Sequence, residues 1–448
     1  MKKIIICVGL LLFPAGYLWA QQSVGFSNPQ DLQHLLNYRL PSWGYSNFYL
    51  DFNSDGQIQL LKESGNQGRR FNFLAIPAYD LYHESEKRIY SLNSSANLIY
   101  DYENRNPNNR DNTFRSTIHL NGTGREYLHS KIFLLLNEQL DFDYRYITSE
   151  EPNTVGKKYK YNRHFESHSK LGFGFGRVRN VTPVIRAVRL NERYRTINGS
   201  GYLDPKEIRS AADQFTRYQG YQHRYDRPEK YFWRDMDKAV GDKISALNTF
   251  DLFYLTDVLD ENLGSRFEGW DIAAGGIFNY TNIMSRTEYS VSSQLDRNSS
   301  ISKQPGFFVK GRWFKNISLR HQFSFSVEGQ RMYPITSDFT KWQTDFTGSF
   351  EWLWNVADRY ILKTRLIDNY HANKSSSLSI RDHISWINYT SLGTNLIYFI
   401  ENRMALTGGI LYSLNYRGDS SSNNRFDLRG SALSYTAGLR YYFDRKLY

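Results

Sequence analysis

Three stretches of this chain alternate apolar and polar residues with a period of two for about a dozen residues, roughly twice the length of a typical soluble strand. From 114 to 125, Phe114, Ser116, Ile118, Leu120 and Gly122 share one face, and Arg115, Thr117, His119, Asn121, Thr123 and Arg125 share the other. From 317 to 329 the apolar face is Ile317, Leu319, Phe323, Phe325 and Val327, interrupted by His321. Ser318, Arg320, Gln322, Ser324, Ser326 and Glu328 oppose it. From 341 to 354, Trp342, Phe346, Phe350, Trp352 and Trp354 oppose Lys341, Gln343, Asp345, Thr347, Ser349 and Glu351. Strands of this length and pattern suit a wall with hydrocarbon on one side and water on the other, where the ladder satisfies every backbone group. Trp352, Trp354, Tyr360 and Tyr398, near strand ends, fit interfacial aromatic girdles.

Composition agrees with such a wall. Aromatics make up 16% of residues, with 34 Tyr, yet 23% of residues are charged and mean hydropathy is -0.60. Alternation produces that combination, because lumen-facing polar residues offset lipid-facing ones. The N-terminus reads as an export signal: Lys2 and Lys3 precede an apolar run from Ile4 to Phe13, and Leu18-Trp19-Ala20 offers the cut. That run is too short for a spanning helix. The single cysteine, Cys7, lies inside it, so the mature chain is expected to carry no disulfide and no thiolate site.

The final strand adds a specific signal. Thr436, Gly438, Tyr441 and Phe443 form the polar-x-Gly-x-x-aromatic-x-aromatic pattern, with five residues, Asp444 to Tyr448, after it. In this the chain resembles the Gram-negative outer-membrane β-barrel superfamily. The resemblance implies an all-β, antiparallel up-and-down transmembrane barrel in the cell outer membrane. It further implies outer-membrane lipid and the barrel assembly machinery as partners, the latter reading the four motif residues. Such barrels keep short turns in the periplasm and longer loops outside. Short turns are expected at 84–87, 126–128, Lys315-Asn316, Asn355–Asp358 and Glu401-Asn402, and external loops at 104–112, 148–163, 296–304, 331–339, 371–379 and 417–428. This gives fourteen strands, with sixteen open if the Asp55-Gly56 pair turns the chain.

Residues 180–268 break the alternation. Asp204, Pro205 and Glu207 read as a helix start, and Val184/Val188 and Leu252/Leu255/Leu259 recur at helical spacing. Three or four helices are expected here, on the periplasmic side by strand parity. The chain then divides into a signal (1–20), an N-terminal periplasmic segment (21–44), barrel strands (45–179), the helical insert (180–268) and further strands (269–448). The insert carries 11 basic and 6 acidic residues over 180–234, against 3 and 8 over 235–268, so its two parts should pair with each other. The formal charge of +11 less the two signal lysines leaves +9, all outside the insert. Such a field attracts anions or settles among lipid phosphates.

Chemistry-bearing motifs are sparse. There is no Gly-x-Ser-x-Gly elbow, and convergence of a Ser, a His and an acid is not visible in sequence. His164 and His168 sit on an expected strand, where residues four apart do not meet. Asp51, Asn53, Asp55 and Gly56 begin like a calcium loop, but Lys62 stands where a bidentate Glu belongs. Gly172, Gly174 and Gly176 alternate along a strand instead of cradling a phosphate. No cofactor, metal, nucleic acid or enzymatic activity is expected. The candidate lumen lining is Arg115, Arg125, Arg320, Lys341, Asp345 and Glu351. Fourteen strands enclose more space than side chains readily fill, so the expectation is a channel for a polar or anionic solute or glycan, with the insert gating it or docking a periplasmic protein. A closed scaffold barrel and a lipid- or glycan-modifying enzyme are the alternatives.

Overall fold

The computed structural model describes residues 41–60, 67–106, 109–150, 157–198, 202–259, 263–290, 295–335, 340–357, 360–377, 380–401, 404–419 and 426–441, together with 39 and 261. The signal segment and Phe443 lie outside these. Fourteen strands form one antiparallel sheet in sequence order. They are β1 (Trp43–Leu60), β2 (Gln67–Glu84), β3 (Arg88–Asn106), β4 (Asn109–Tyr127), β5 (Ile132–Glu150), β6 (Lys157–Asn180) and β7 (Phe267–Tyr289). After these come β8 (Leu295–Asn316), β9 (His321–Met332), β10 (Thr340–Ala357), β11 (Tyr360–Ser377), β12 (Ile380–Glu401), β13 (Met404–Asp419) and β14 (Phe426–Tyr441). Among the described residues β1 and β14 pair only with β2 and β13.

The count of fourteen settles the Asp-Gly question. Asn53 pairs with Leu74 and Asp55 with Asn72, so the segment runs inside β1, and the half-motif for calcium is strand. Short connections follow β2 and β4 at 85–87 and 128–131, close to where expected, but the turn expected at Lys315-Asn316 lies at 317–320, since both residues belong to β8. The loops expected to be external are shorter than expected. Residues 296–304 lie within β8, and 371–377 within β11. Polar residues there continue the ladder, because past the hydrocarbon band a strand needs no greasy face.

The pattern of burial shows which face is which. Phe48, Phe52, Leu171, Phe173, Leu433 and Tyr435 are exposed on one side. On the other side, side chains three strands apart meet: Arg125 of β4 with Asp271 of β7, and Lys170 of β6 with Glu328 of β9. The polar face is therefore concave and the apolar face convex, as an outer-membrane barrel wall requires. On the convex face, at the edge that also carries the β8–β9 turn, the rings of Trp352 and Trp354 stack at 5.6 Å, and His321 stacks on both. His321 Nδ1 accepts from Trp352 Nε1 at 3.3 Å, which accounts for the one polar residue in that apolar row.

The insert joins β6 to β7 through helices α1 (Thr182–Asn198), α2 (Pro205–Arg224), α3 (Pro228–Ala239) and α4 (Thr249–Thr256). Asp204 caps α2, accepting from the backbone N–H groups of Lys206 and Glu207, while Glu207 accepts from the Asp204 N–H. Val184, Ile185, Val188, Ile208, Phe215, Phe232, Met236 and Leu255 close one core. Leu319, from the β8–β9 turn, completes it. The two charge-biased parts pair with each other: Arg193 of the basic part with Glu261 of the acidic one at 2.5 Å, and, in the reverse sense, Lys243 with Glu207 at 2.7 Å.

Candidate functional site

The candidate site is the concave face, which has a dry region, a wet region and a capped end. The dry region begins beside the turn at 128–131 and runs obliquely to Met332. Tyr127, Phe133, Leu135, Ala273, Ile277, Phe308 and Met332 are buried together there, although all lie on the side of the sheet that holds the polar residues. Phe133 crosses over β6 because the position facing it is Gly174, where a Cβ would stand 2.1 Å from the ring. Gly174 thus clears space above β6 for a neighbouring strand's aromatic, whereas a Cβ at Gly172 or Gly176 would run into the backbone of β7.

Ion pairs lock this septum. Asp271, 4% exposed, accepts from Arg125 Nη1 at 2.8 Å and from Arg312 Nε at 3.0 Å. The Arg125 guanidinium also lies over the Phe133 ring, 5.4 Å from its centroid. Glu328 bridges Lys170 at 2.5 Å and Lys310 at 2.9 Å. Each acid holds two cations from other strands, which ties β4, β7 and β8, and β6, β8 and β9, across the concavity.

The wet region lies on β1–β6, farther from the 128–131 turn. Two cavities of about 390 Å³ and 520 Å³ share His119 and Asp141 in their walls. His119 Nδ1 lies 2.5 Å from Asp141 Oδ1, and Gln139 Nε2 donates to Asp141 Oδ2 at 2.8 Å. Farther along the same concave face, on β10 and β11, His371 Nδ1 lies 2.5 Å from Asp345 Oδ1. Gln330 donates to Asp345 Oδ2 at 3.1 Å.

The insert caps the end of the sheet at which β6 ends and β7 begins. Arg266, fully buried, donates to the carbonyls of Leu263, Leu319 and Arg320 and to the Asn355 side chain. One guanidinium thereby ties the insert's last residues to the β8–β9 turn and the end of β10. Burial pushes it down to about 10, with nearby Arg189 adding to the effect. At the far end of the insert, Gln219 of α2 donates to the Tyr45 hydroxyl of β1 at 3.4 Å. The insert thus reaches from β1 to β10 along one rim.

Of the residues expected to line the lumen, Arg115 pairs with Asp143 at 2.6 Å, Arg125 with Asp271, and Glu351 with Lys363 at 3.4 Å. Asp345 belongs to the His371 dyad. Lys341 sits at the register shift between Thr340 and Trp342, at the outer end of β10. Arg320 is a correction: it belongs to the β8–β9 turn, since β9 starts at His321. The cause is that Ser318 Oγ accepts from the N–H groups of Arg320 and His321, closing a turn where alternation suggested strand. The cationic lining expected from net charge is largely an array of ion pairs. His164 contacts Glu166 at 3.9 Å, and no group of three metal-ligating side chains occurs among the described residues. In the motif of the last strand, Thr436 pairs with Gly409, Gly438 with Thr407 and Tyr441 with Met404.

Sequence reasoning missed the septum residues Phe133, Asp271 and Phe308 and the His119–Asp141 pair. Asp271 carried a signal, as a lone acid between Trp270 and Ile272 in a run otherwise fit for a core. The pairing of His119 with Asp141 depends on register between strands, which one strand's alternation does not contain.

No protein-family model matches the sequence. No curated protein matches it either. Among solved structures, the fold aligns with the translocator domain of autotransporter NalP from Neisseria meningitidis at 8% identity and a TM-score of 0.24, covering 92% of each chain. It aligns with a deltaS2 mutant of the TodX monoaromatic hydrocarbon channel at 5% identity and a TM-score of 0.26, covering 91% of this chain and 92% of that one. Outer-membrane expressed OmpT of Vibrio cholerae aligns at 9% identity and a TM-score of 0.26, covering 89% of this chain and 98% of that one. At these identities no activity passes from those proteins to this chain.

Proposed function

We propose that the chain is an outer-membrane barrel that conducts a polar solute or glycan segment through its lumen and is held shut toward the periplasm. The observation that carries this reading is the concave face itself, with wet cavities on β1–β6 and a dry, ion-paired septum between β4 and β9. Polar-lined space of several hundred Å³ is more than a packed wall needs, and opening the septum would require Asp271 and Glu328 to release the cations they hold. The export signal read from Lys2 to Ala20 and the convex apolar face support a barrel in the outer membrane, and strand parity supports an insert on its periplasmic side. In planar bilayers the refolded chain is expected to show rare, small steps. Phe308→Ala combined with Asp271→Asn is expected to give frequent, larger ones. A folded double variant as silent as the parent would end the conduit reading.

One observation favours a scaffold role beside the conduit. On α4, Phe250 is 82% exposed and Phe253 half exposed, although both are large aromatics on the periplasmic insert. A periplasmic protein docking on residues 180–268 would cover them. Phe250→Ser with Phe253→Ser would then abolish its capture by the full barrel without altering conductance.

A further inference from the structure

Strand register brings three residues into one row across the wet face. Ser95 of β3 lies directly opposite His119 of β4, and His119 directly opposite Asp141 of β5. We infer that Ser95, His119 and Asp141 form a nucleophile–base–acid relay in the lumen that hydrolyses small acyl esters of polar, hydroxylated carriers.

The tautomer follows from the geometry. With Asp141 accepting at His119 Nδ1, the ring proton sits on Nδ1 and the Nε2 lone pair is free to act as a base. Gln139 occupies the second carboxylate oxygen and fixes the acid's orientation. Directly opposed residues hold their Cβ atoms about 4.5–5.5 Å apart, so rotation about the Ser95 side-chain bond sets its Oγ toward the imidazole. Beyond Ser95 in the same row stands Ala78, whose small side chain leaves the cavity of about 390 Å³ open over the hydroxyl. Asn121, in the same cavity wall, offers an amide N–H to a developing oxyanion.

The reaction balances with water as the only co-substrate. Ser95 Oγ attacks the ester carbonyl carbon while His119 Nε2 takes the hydroxyl proton. The bond from the acyl carbon to the alcohol oxygen breaks, and that oxygen leaves with the proton from His119. A water then attacks the acyl-serine, again through His119, releasing the carboxylic acid and restoring Ser95. Asn, Ser and Thr side chains around the row suit a hydroxylated carrier such as a glycan, and the confined floor at Ala78 suits a short acyl group.

The fold contains its own comparison. The Asp345–His371 dyad has the same Nδ1 geometry, but the residue opposite His371 on β12 is Ile387, which has no hydroxyl. That dyad can orient an imidazole and supply no nucleophile.

The test uses the full mature barrel refolded in detergent, with a biotinylated fluorophosphonate and p-nitrophenyl acetate as probes. The expected result is labelling at Ser95, absent from Ser95→Ala. Hydrolysis should fall about 10²–10⁴-fold in His119→Ala and stay unchanged in His371→Ala. Retained hydrolysis in a folded Ser95→Ala variant, an unlabelled folded parent, or an equal fall in His371→Ala would each overturn the inference. The relay needs a wet face and no conductance, so a silent barrel that takes the label refutes the conduit and leaves the esterase standing.

Discussion

Asp271 illustrates how one side chain sets the state of the concave face. Its carboxylate is nearly inaccessible and holds the guanidinium groups of Arg125 and Arg312. Removing one partner of a buried pair costs more than the pair contributes, because the remaining charge keeps its desolvation penalty. Asp271→Ala leaves two such charges, so it is expected to lower unfolding stability by about 3–5 kcal/mol, read as an earlier urea midpoint for loss of the heat-modifiable form. Gly174 makes the complementary point through volume. A methyl there meets the Phe133 ring at 2.1 Å, and overpacking of this kind costs about 1–3 kcal/mol. Gly174→Ala should destabilise the barrel, and Phe133→Leu in the same chain should recover part of the loss. Full additivity in that double variant would mean the two residues do not share the space described.

At the scale of elements, the sequence showed what local periodicity encodes and hid what pairing decides. The alternating face of 114–125 is legible because each outward residue must suit lipid, and the α2 start is legible because Asp204 and Glu207 satisfy backbone donors within one turn. The Ser95–His119–Asp141 row was illegible because it arises from the offset between three strands, each of which reads the same at any even slip. Arg320 misled because a turn closed by Ser318 keeps the polar parity of the strand after it. The insert's stability should follow its caps: Asp204→Ala is expected to cost about 1 kcal/mol of helical stability, measured by the helical signal in the full chain. It should also show an acid limit. Asp235 accepts from Tyr221 at 2.6 Å, and that hydrogen bond, followed by Arg234, holds its carboxyl below the ordinary value of 3.8. A depressed carboxyl contributes stability that is present above the unfolded value and lost as pH falls through the folded one. Tyr221→Phe brings the folded value back toward the ordinary one, so the helical signal of that variant should fail at a higher pH than the parent's.

At the scale of the molecule, the question is how a sheet with two edges lives in a bilayer. The described pairs end at β1 on one side and β14 on the other. An open edge in hydrocarbon leaves a row of backbone N–H and C=O groups unsatisfied, each costing several kcal/mol. With an even number of strands, β1 and β14 run antiparallel and can close the wall by the same ladder used between every other pair. Phe48, Phe52, Leu433 and Tyr435 project from these two edges on the convex side, so closure also completes the apolar belt. The chain's only cysteine is Cys7, so a Cys7→Ser background gives a clean reporter. Leu50→Cys on β1, combined in turn with Ser431→Cys, Leu433→Cys, Tyr435→Cys and Ala437→Cys on β14, scans the outward positions. In lipid vesicles one or two neighbouring combinations are expected to cross-link on mild oxidation, because only opposed positions bring their Cα atoms within about 4.4–6.8 Å. Cross-linking that peaks at one register would fix the shear of the closed barrel. A uniform absence of cross-links in folded, membrane-inserted protein would mean the edges are covered by something other than each other, and the single-chain conduit would fail with them.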